Sequence, residues 1–296
     1  VKQRRAKYGY LFVAPYLLVF GIFQLYPIIY SFYLSLTTQI SNKESKFYGL
    51  QNYAYLLKDS VFWKSIGNTW IIWLSCFIPQ IICALLLAVL LSQYKVRGAG
   101  FFRASFYLPN LVTAASIGVL FSVLFDWQTG TVNKILLKLN LIKEAVNWMS
   151  IPFFARSITS FIQWWMWFGY STILLTAGIK AISSEILEAA VVDGANSRQR
   201  LFKITLPLLK PTMLYVMVTS LIGGMQIFDI PMTLTGGDGE PQKSLLTMVL
   251  YLYNSAFTNR NYAYGATVSY GLFFIILIFS LIFYKVLYPN SGKEKS

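Results

Sequence analysis

The chain has 296 residues, 56% hydrophobic and only 12% charged, with a mean hydropathy of +0.56. Soluble domains carry about 25% charged residues; a water-soluble fold of this size could not hide so much apolar surface, and a disordered chain would be poor in such residues. The formal charge of +14 does not mark a nucleic-acid binder, because the basic residues sit at the ends of apolar runs rather than in one arm or stripe.

A bilayer core takes about 20 largely apolar residues per helix, and six runs meet that length. Lys2, Arg4, Arg5 and Lys7 lead into the first, Tyr8 to Leu36. Its charged start imitates a secretion signal, but the run is too long for one and no small-residue cleavage site follows it. The others run from Trp70 to Gln93, Ala104 to Phe125, Ser157 to Ile179, Thr212 to Phe228 and Gly265 to Leu287. Pro15, Pro27, Pro79 and Pro109 interrupt the first three, as membrane helices tolerate. The predicted organisation is an all-α membrane protein: a segment 1–7, a six-helix domain 8–287 containing a loop 183–211, and a tail 288–296.

With the N-terminus in the cytoplasm, the cytoplasmic pieces hold Lys2, Arg4, Arg5, Lys7, Lys95, Arg97, Arg103, Lys180, Arg198, Arg200, Lys203, Lys210, Lys285, Lys293 and Lys295, fifteen of the 25 basic residues. The positive-inside rule therefore places both termini in the cytoplasm. No Asp, Glu, Lys or Arg occupies the middle of a run; Asp126, Arg156 and Asp229 lie at ends. Ion-coupled carriers need intramembrane ionisable groups, so that class is disfavoured. The absence of histidine, with no carboxylate pair in the runs, disfavours an intramembrane enzyme and leaves no Cys/His metal site. Cys76 and Cys83 are seven residues apart on one run, about 10 Å of helix, too far for a disulfide. Gly236-Gly237-Asp238-Gly239 lacks the Lys-Ser/Thr of a phosphate loop, so ATP drive would need a separate subunit.

The loop between the fourth and fifth runs reads as two short helices with a break. Ser184 can cap the first, Glu185 suits its N-terminal dipole, and Ile186, Leu187, Ala190 and Val191 form an apolar stripe. Gly194 sits where a helix ends in a left-handed turn, and Ser197 can cap the second helix. Ala189 and Ala190 are small enough for another surface to approach, and Glu188 offers it a carboxylate. On this physics an interfacial elbow and a docking helix stay equally open.

Glu188-Ala189-Ala190, Asp193-Gly194-Ala195, Phe202, Ile204 and Leu206-Pro207 resemble the EAA loop of bacterial ABC importer permeases. Leu11 to Tyr16, Tyr26 to Ser31, Gly49-Leu50-Gln51-Asn52-Tyr53, Asn68-Thr69, Phe106 to Asn110, Phe125-Asp126-Trp127, Gly130 and Asn133 extend the resemblance to the carbohydrate-uptake (maltose and glycerol-phosphate) group, its MalF-type half. The resemblance implies the type I ABC importer permease fold in a bacterial cytoplasmic membrane. It implies no covalent chemistry on this chain, and ATP and Mg bound by a partner ATPase. It implies a second homologous permease, two ATPase subunits and an extracellular solute-binding protein docking around 38–65, 126–156 and 230–262. It assigns coupling to the ATPase to Glu188, Ala189, Ala190, Asp193, Gly194, Ala195, Phe202, Leu206 and Pro207, with 185–194 as the coupling helix.

A sugar site needs aromatic faces beside directional polar groups. The fourth run offers Gln163, Trp164, Trp165, Trp167, Phe168 and Tyr170; the fifth offers Ser220, Gly223, Gly224 and Gln226. Composition alone favours lipid-facing aromatics and helix-packing glycines over a pocket. The resemblance implies that Gln163, Trp165, Trp167, Tyr170, Ser220, Gly223, Gly224 and Gln226 line the site, with Trp165 stacking on a sugar ring and the two glycines leaving room for it. With no Arg or Lys inside the runs, the expected cargo is a neutral saccharide, an oligosaccharide before a monosaccharide.

Overall fold

The computed structural model describes residues 2–38, 46–93 and 97–288. Lys95 and the expected tail, apart from Tyr288, lie outside them. Among the described residues the chain is helical with one isolated bridge, Thr37 to Phe47. In order, the elements are α1 (Lys2–Phe20), a π turn (Gly21–Leu25), α2 (Tyr26–Ser35), α3 (Gln51–Lys58), α4 (Ser60–Gln93), α5 (Ala99–Leu111), α6 (Ala114–Leu124), α7 (Thr131–Lys138), α8 (Pro152–Lys180) and α9 (Ser184–Val192). Then come α10 (Ser197–Arg200), a π turn (Leu201–Thr205), α11 (Leu206–Leu208), α12 (Lys210–Met225), α13 (Asp229–Thr235), α14 (Met248–Tyr253), a third π turn (Asn254–Thr258) and α15 (Tyr262–Leu287).

Four stretches are long and apolar enough to cross a bilayer: Phe12–Ser35, Ser60–Ser92, Lys210–Thr235 and Tyr262–Leu287. Two of the six expected runs behave otherwise. The third is not one rod: α5 and α6 meet at 88°. Thr113 is extended, and its hydroxyl accepts from the Ser116 amide, so a second helix starts there with its own cap. The fourth is a single 29-residue helix, α8, whose average is too polar for that set. Several of its hydroxyls are bonded within the protein, while the Trp164 indole N–H is buried without a partner. The Thr159, Thr172 and Thr176 hydroxyls donate to the carbonyls four residues back, and Ser160 donates to Ile72 O at 3.1 Å. Twelve of its 29 residues are buried, so much of this helix faces protein. The second run also begins ten residues before the expected Trp70; at 34 residues α4 is about 50 Å long, more than the hydrocarbon needs.

The chain forms two compact units. The first comprises Val1–Phe62 and Tyr251–Phe273. Among the described side chains of α1 and α2 most of the large apolar ones are exposed, Phe12 at 84%. Buried Asn52 ties the end of α2 down, donating to Ser35 O at 2.9 Å and Thr37 O at 2.7 Å. Asp59 accepts from the Tyr251 and Tyr264 hydroxyls and the Val61 amide. Partial burial alone would raise its carboxyl, but these hydrogen bonds outweigh it and hold Asp59 below the usual carboxylate range.

The second unit comprises Trp63–Leu250 and Phe274–Ser296. Gly169 lets α8 approach α5 so closely that a Cβ there would collide with the Phe106 carbonyl. After α6, Asp126 caps a turn by accepting from the Thr129 amide and hydroxyl, both at 2.7 Å, which holds its carboxyl low. Asn133 knots the same loop, donating to Trp127 O and Val146 O and accepting from the Trp148 indole at 2.8 Å.

Candidate functional site

Within the second unit, α4, α8 and α12 enclose a cavity of about 230 Å³. Each helix gives it one face, as 3.6-residue periodicity requires: Trp73, Cys76 and Gln80 from α4, Gln163, Trp167 and Tyr170 from α8, Thr219, Ser220, Gly223 and Gly224 from α12. No lining residue is charged. Gln80 is buried and fixed, donating to Ser171 Oγ at 2.7 Å. Trp73 donates its indole N–H to Ser220 O at 3.0 Å and stacks on Phe77. Trp167 is 38% exposed and meets the Tyr170 ring edge-on.

Six of the eight expected sugar-site residues thus share one cavity, and two do not. Trp165 lies two positions from both Gln163 and Trp167, which turns it to the other side of α8. There it packs against Phe121, at a ring distance of 6.0 Å, in a cluster with Ile117, Ile162 and Ile230. The stacking role expected of Trp165 does not fit that position. Gln226 caps the end of α12, exposed and outside the lining. The two glycines also differ. Nothing lies within 4 Å of a Cβ built at Gly223, whereas one at Gly224 would enter the Trp73 ring. Trp73, Cys76 and Gln80 were not read as cavity residues in the sequence; the signal available was their 73/76/80 spacing, with Gln80 inside a largely apolar run.

An apolar cluster adjoins the cavity at each end, sharing Val216 on one side and Ile72 on the other. On one side Ala84, Ala88, Leu175, Ile179, Leu209 and Val216 pack together. On the other, Ile72 packs with Ala155, Ile227 and Leu245.

The loop after α8 folds as two short helices. Ser183, not Ser184, caps α9 by accepting from the Glu185 amide at 3.2 Å, because it is the last extended residue before the helix. The expected apolar stripe turns inward only in part: Ala190 is buried and Leu187 half-buried, while Ile186 and Val191 are exposed. Glu188 and Ala189 point outward, and Val192 is 87% exposed. Asp193 ends the helix, Gly194 takes φ +79°, and the Ala195 amide returns to Ala190 O at 2.9 Å. Asn196, not Ser197, caps α10: its side chain accepts from the Gln199 amide at 2.8 Å while Gln199 bonds back to the Asn196 amide. That reciprocal pair satisfies two orphan amides, which a serine at 197 could not do. Phe202 is exposed with the Arg198 guanidinium 6.0 Å from its ring centre, Leu206 is half-buried and Pro207 exposed. The loop therefore presents three exposed carboxylates, Glu185, Glu188 and Asp193, beside several uncovered apolar side chains.

The family model for binding-protein-dependent transport system inner membrane components matches residues 69–290. The lactose transport system permease protein of Rhizobium radiobacter is 37% identical over 93% of this chain and 92% of its own length. The arabinooligosaccharides transport system permease protein of Bacillus subtilis is 34% identical over 94% and 87%. The trehalose/maltose transport system permease protein of Thermococcus litoralis is 31% identical over 97% and 95%. A solved chain of a bacterial ABC transporter that imports the acidic polysaccharide alginate superposes with a TM-score of 0.82 at 21% identity, covering 98% of both chains. The bent third run, the long polar α8 and the two-helix loop are thus features of an all-helical type I ABC importer permease fold, and the chain belongs to the family of binding-protein-dependent transport system inner-membrane components.

Proposed function

We propose that this chain is one translocation half of an importer for a neutral oligosaccharide, and that the cavity between α4, α8 and α12 is its part of the sugar path. One observation carries the reading: a cavity walled by amides, hydroxyls and aromatic rings, free of charge, between two apolar seals. Such a wall hydrogen-bonds and stacks on a sugar, and an acidic sugar or sugar phosphate would find no counter-charge. Relatives named for lactose, arabinooligosaccharides and trehalose or maltose support the class. At about 230 Å³ the cavity is smaller than the roughly 300–1,000 Å³ of ligand pockets, so a second permease supplies the facing wall.

In this reading α8 and the bent pair α5–α6 complete six spans, with both termini cytoplasmic. The ends of α4 and α8 that carry Asn68 and Arg156 then face outward, where a solute-binding protein delivers cargo. A solved relative of this fold was captured with an alginate pentasaccharide-bound periplasmic protein. The exposed Glu188, Ala189 and Val192 of α9, with Phe202, form the docking face for an ATPase, two copies of which bind ATP and Mg. Closure of that dimer moves α9, and the spans rock about the cavity.

The test begins with gentle extraction of the tagged chain and identification of what accompanies it. A second permease with an ATPase is expected. In that complex Glu188→Ala should cut saccharide-stimulated ATP hydrolysis at least about tenfold, the scale of losing a charged contact. Recovery of the chain alone, with uptake unaffected by Glu188→Ala, would sink the reading.

A further inference from the structure

We propose that Arg156 is a positioning residue that holds the outer end of the cavity shut, acting through Asn68 on the buried segment Ser244–Met248. This rests on the reading of the cavity as the transport path.

Three layers follow one another along α4, at Cys76, Ile72 and Asn68, each meeting α8 residues. Cys76 and Gln163 line the cavity. Above them Ile72 and Ala155 grip Leu245 in an apolar plug with Ile227. Above that lies a polar latch. Asn68, 2% exposed, spends every hydrogen-bonding group there. Its amide nitrogen donates to Lys243 O at 2.6 Å and Leu246 O at 3.0 Å, and its oxygen accepts from the Arg156 guanidinium at 2.7 Å. Arg156 reaches on to Ser244 O at 3.2 Å. One planar cation thus bridges the amide and the segment the amide holds, two acceptors at fixed spacing that a lysine cannot serve together. A further bond, Met248 N–H to Thr69 Oγ1 at 2.9 Å, secures the inner end of the segment.

The segment is closed under tension. Gln242 and Lys243, which precede it, both take left-handed backbone, with φ +51° and +56°, a conformation unfavourable to residues with a side chain. The Ser244 hydroxyl is buried without a partner, a group a relaxed interior would satisfy. Strain and an unmet hydrogen bond favour leaving this arrangement; the Asn68–Arg156 pair favours keeping it. A segment balanced in this way has two states. Both groups of Arg156 contact are neutral, so the pair is held by geometry and is insensitive to screening by salt.

The chain carries its own reporter, because it has two cysteines and one, Cys76, lines the cavity below the plug. Cys83→Ser leaves Cys76 as the single thiol. The complete complex, in right-side-out vesicles without nucleotide, is treated with a membrane-impermeant maleimide from outside. The parent should label slowly. Arg156→Gln and Asn68→Ala should label at least about tenfold faster, the scale of one lost hydrogen bond to a charged group, and should hydrolyse ATP without the binding protein. Arg156→Lys, which keeps the charge and one bond, should fall between and also serves if the glutamine variant fails to assemble. Labelling of these variants as slow as the parent's, while ATP with binding protein accelerates the parent, would overturn the latch and leave the cavity reading intact. No labelling of Cys76 from outside in any nucleotide state would remove the cavity from the path, and the latch with it.

Discussion

Adjacent glycines on α12 do opposite jobs. Gly224 is a notch filled by Trp73, so Gly224→Ala must displace a buried indole that also bonds Ser220 O. Overpacking of this kind costs about 1–3 kcal/mol, and the purified complex should melt earlier. At Gly223 the space is open, so alanine gains helix propensity of about 0.5–1 kcal/mol and strains nothing. Gly223→Ala should keep or raise the melting temperature while raising the saccharide KM by narrowing the cavity. Thermal unfolding and uptake kinetics on the two variants separate a packing glycine from a cavity glycine. Asp59 makes a second residue-scale case. Its folded carboxyl lies below its unfolded value, so its stabilisation is complete above the ordinary carboxylate range and fades as pH falls through the lowered value. Asp59→Asn should therefore destabilise at neutral pH, and the gap in melting temperature to the parent should shrink on strong acidification. A gap that stays constant with pH would show that the carboxylate's charge plays no part. Residues such as Asp59 were invisible in the sequence, because a carboxylate's partners are set by tertiary approach. Asn52, Asn68 and Asn133 were legible as recurring positions, yet their work, donating to stray carbonyls, showed only in the folded chain.

At the scale of elements, long apolar runs were easy to read and breaks were not. The runs that became α4 and α15 are uniformly apolar and stand out without help. The 88° turn between α5 and α6 escaped a hydropathy reading because Val112 and Thr113 interrupt the backbone without interrupting the apolar composition. α8 was found as a run, but its threonine hydroxyls, bonded to carbonyls one turn back, were what set it apart. Trp165 shows the remaining limit: choosing a face of α8 required knowing which neighbours lay on each side. The short helices of the loop are set by caps, and this can be measured. Asn196→Ala removes one half of the reciprocal pair with Gln199 and should destabilise the start of α10 by about 1 kcal/mol. Hydrogen exchange across 196–205 should quicken while α9, capped separately by Ser183, stays protected. Equal loosening of both helices would mean that they fold as one unit.

For the whole molecule, function was legible largely through one loop. Composition fixed the solvent as lipid, and missing intramembrane charge set aside ion coupling, but only the extended pattern from Glu188 to Pro207 separated an importer permease from other polytopic proteins. The cavity was harder to see, since α4, α8 and α12 are separated by long stretches of sequence and meet only on folding. The clusters around Leu175 and Leu245 bear on the cell as well as on the sugar. An ion entering between them must shed its hydration shell with nothing to replace it, at a cost of several kcal/mol. On the proposed path, such a pair of apolar clusters makes the resting protein an electrical insulator. The host can then carry many copies of it in an energised membrane without draining the voltage that its other machinery runs on.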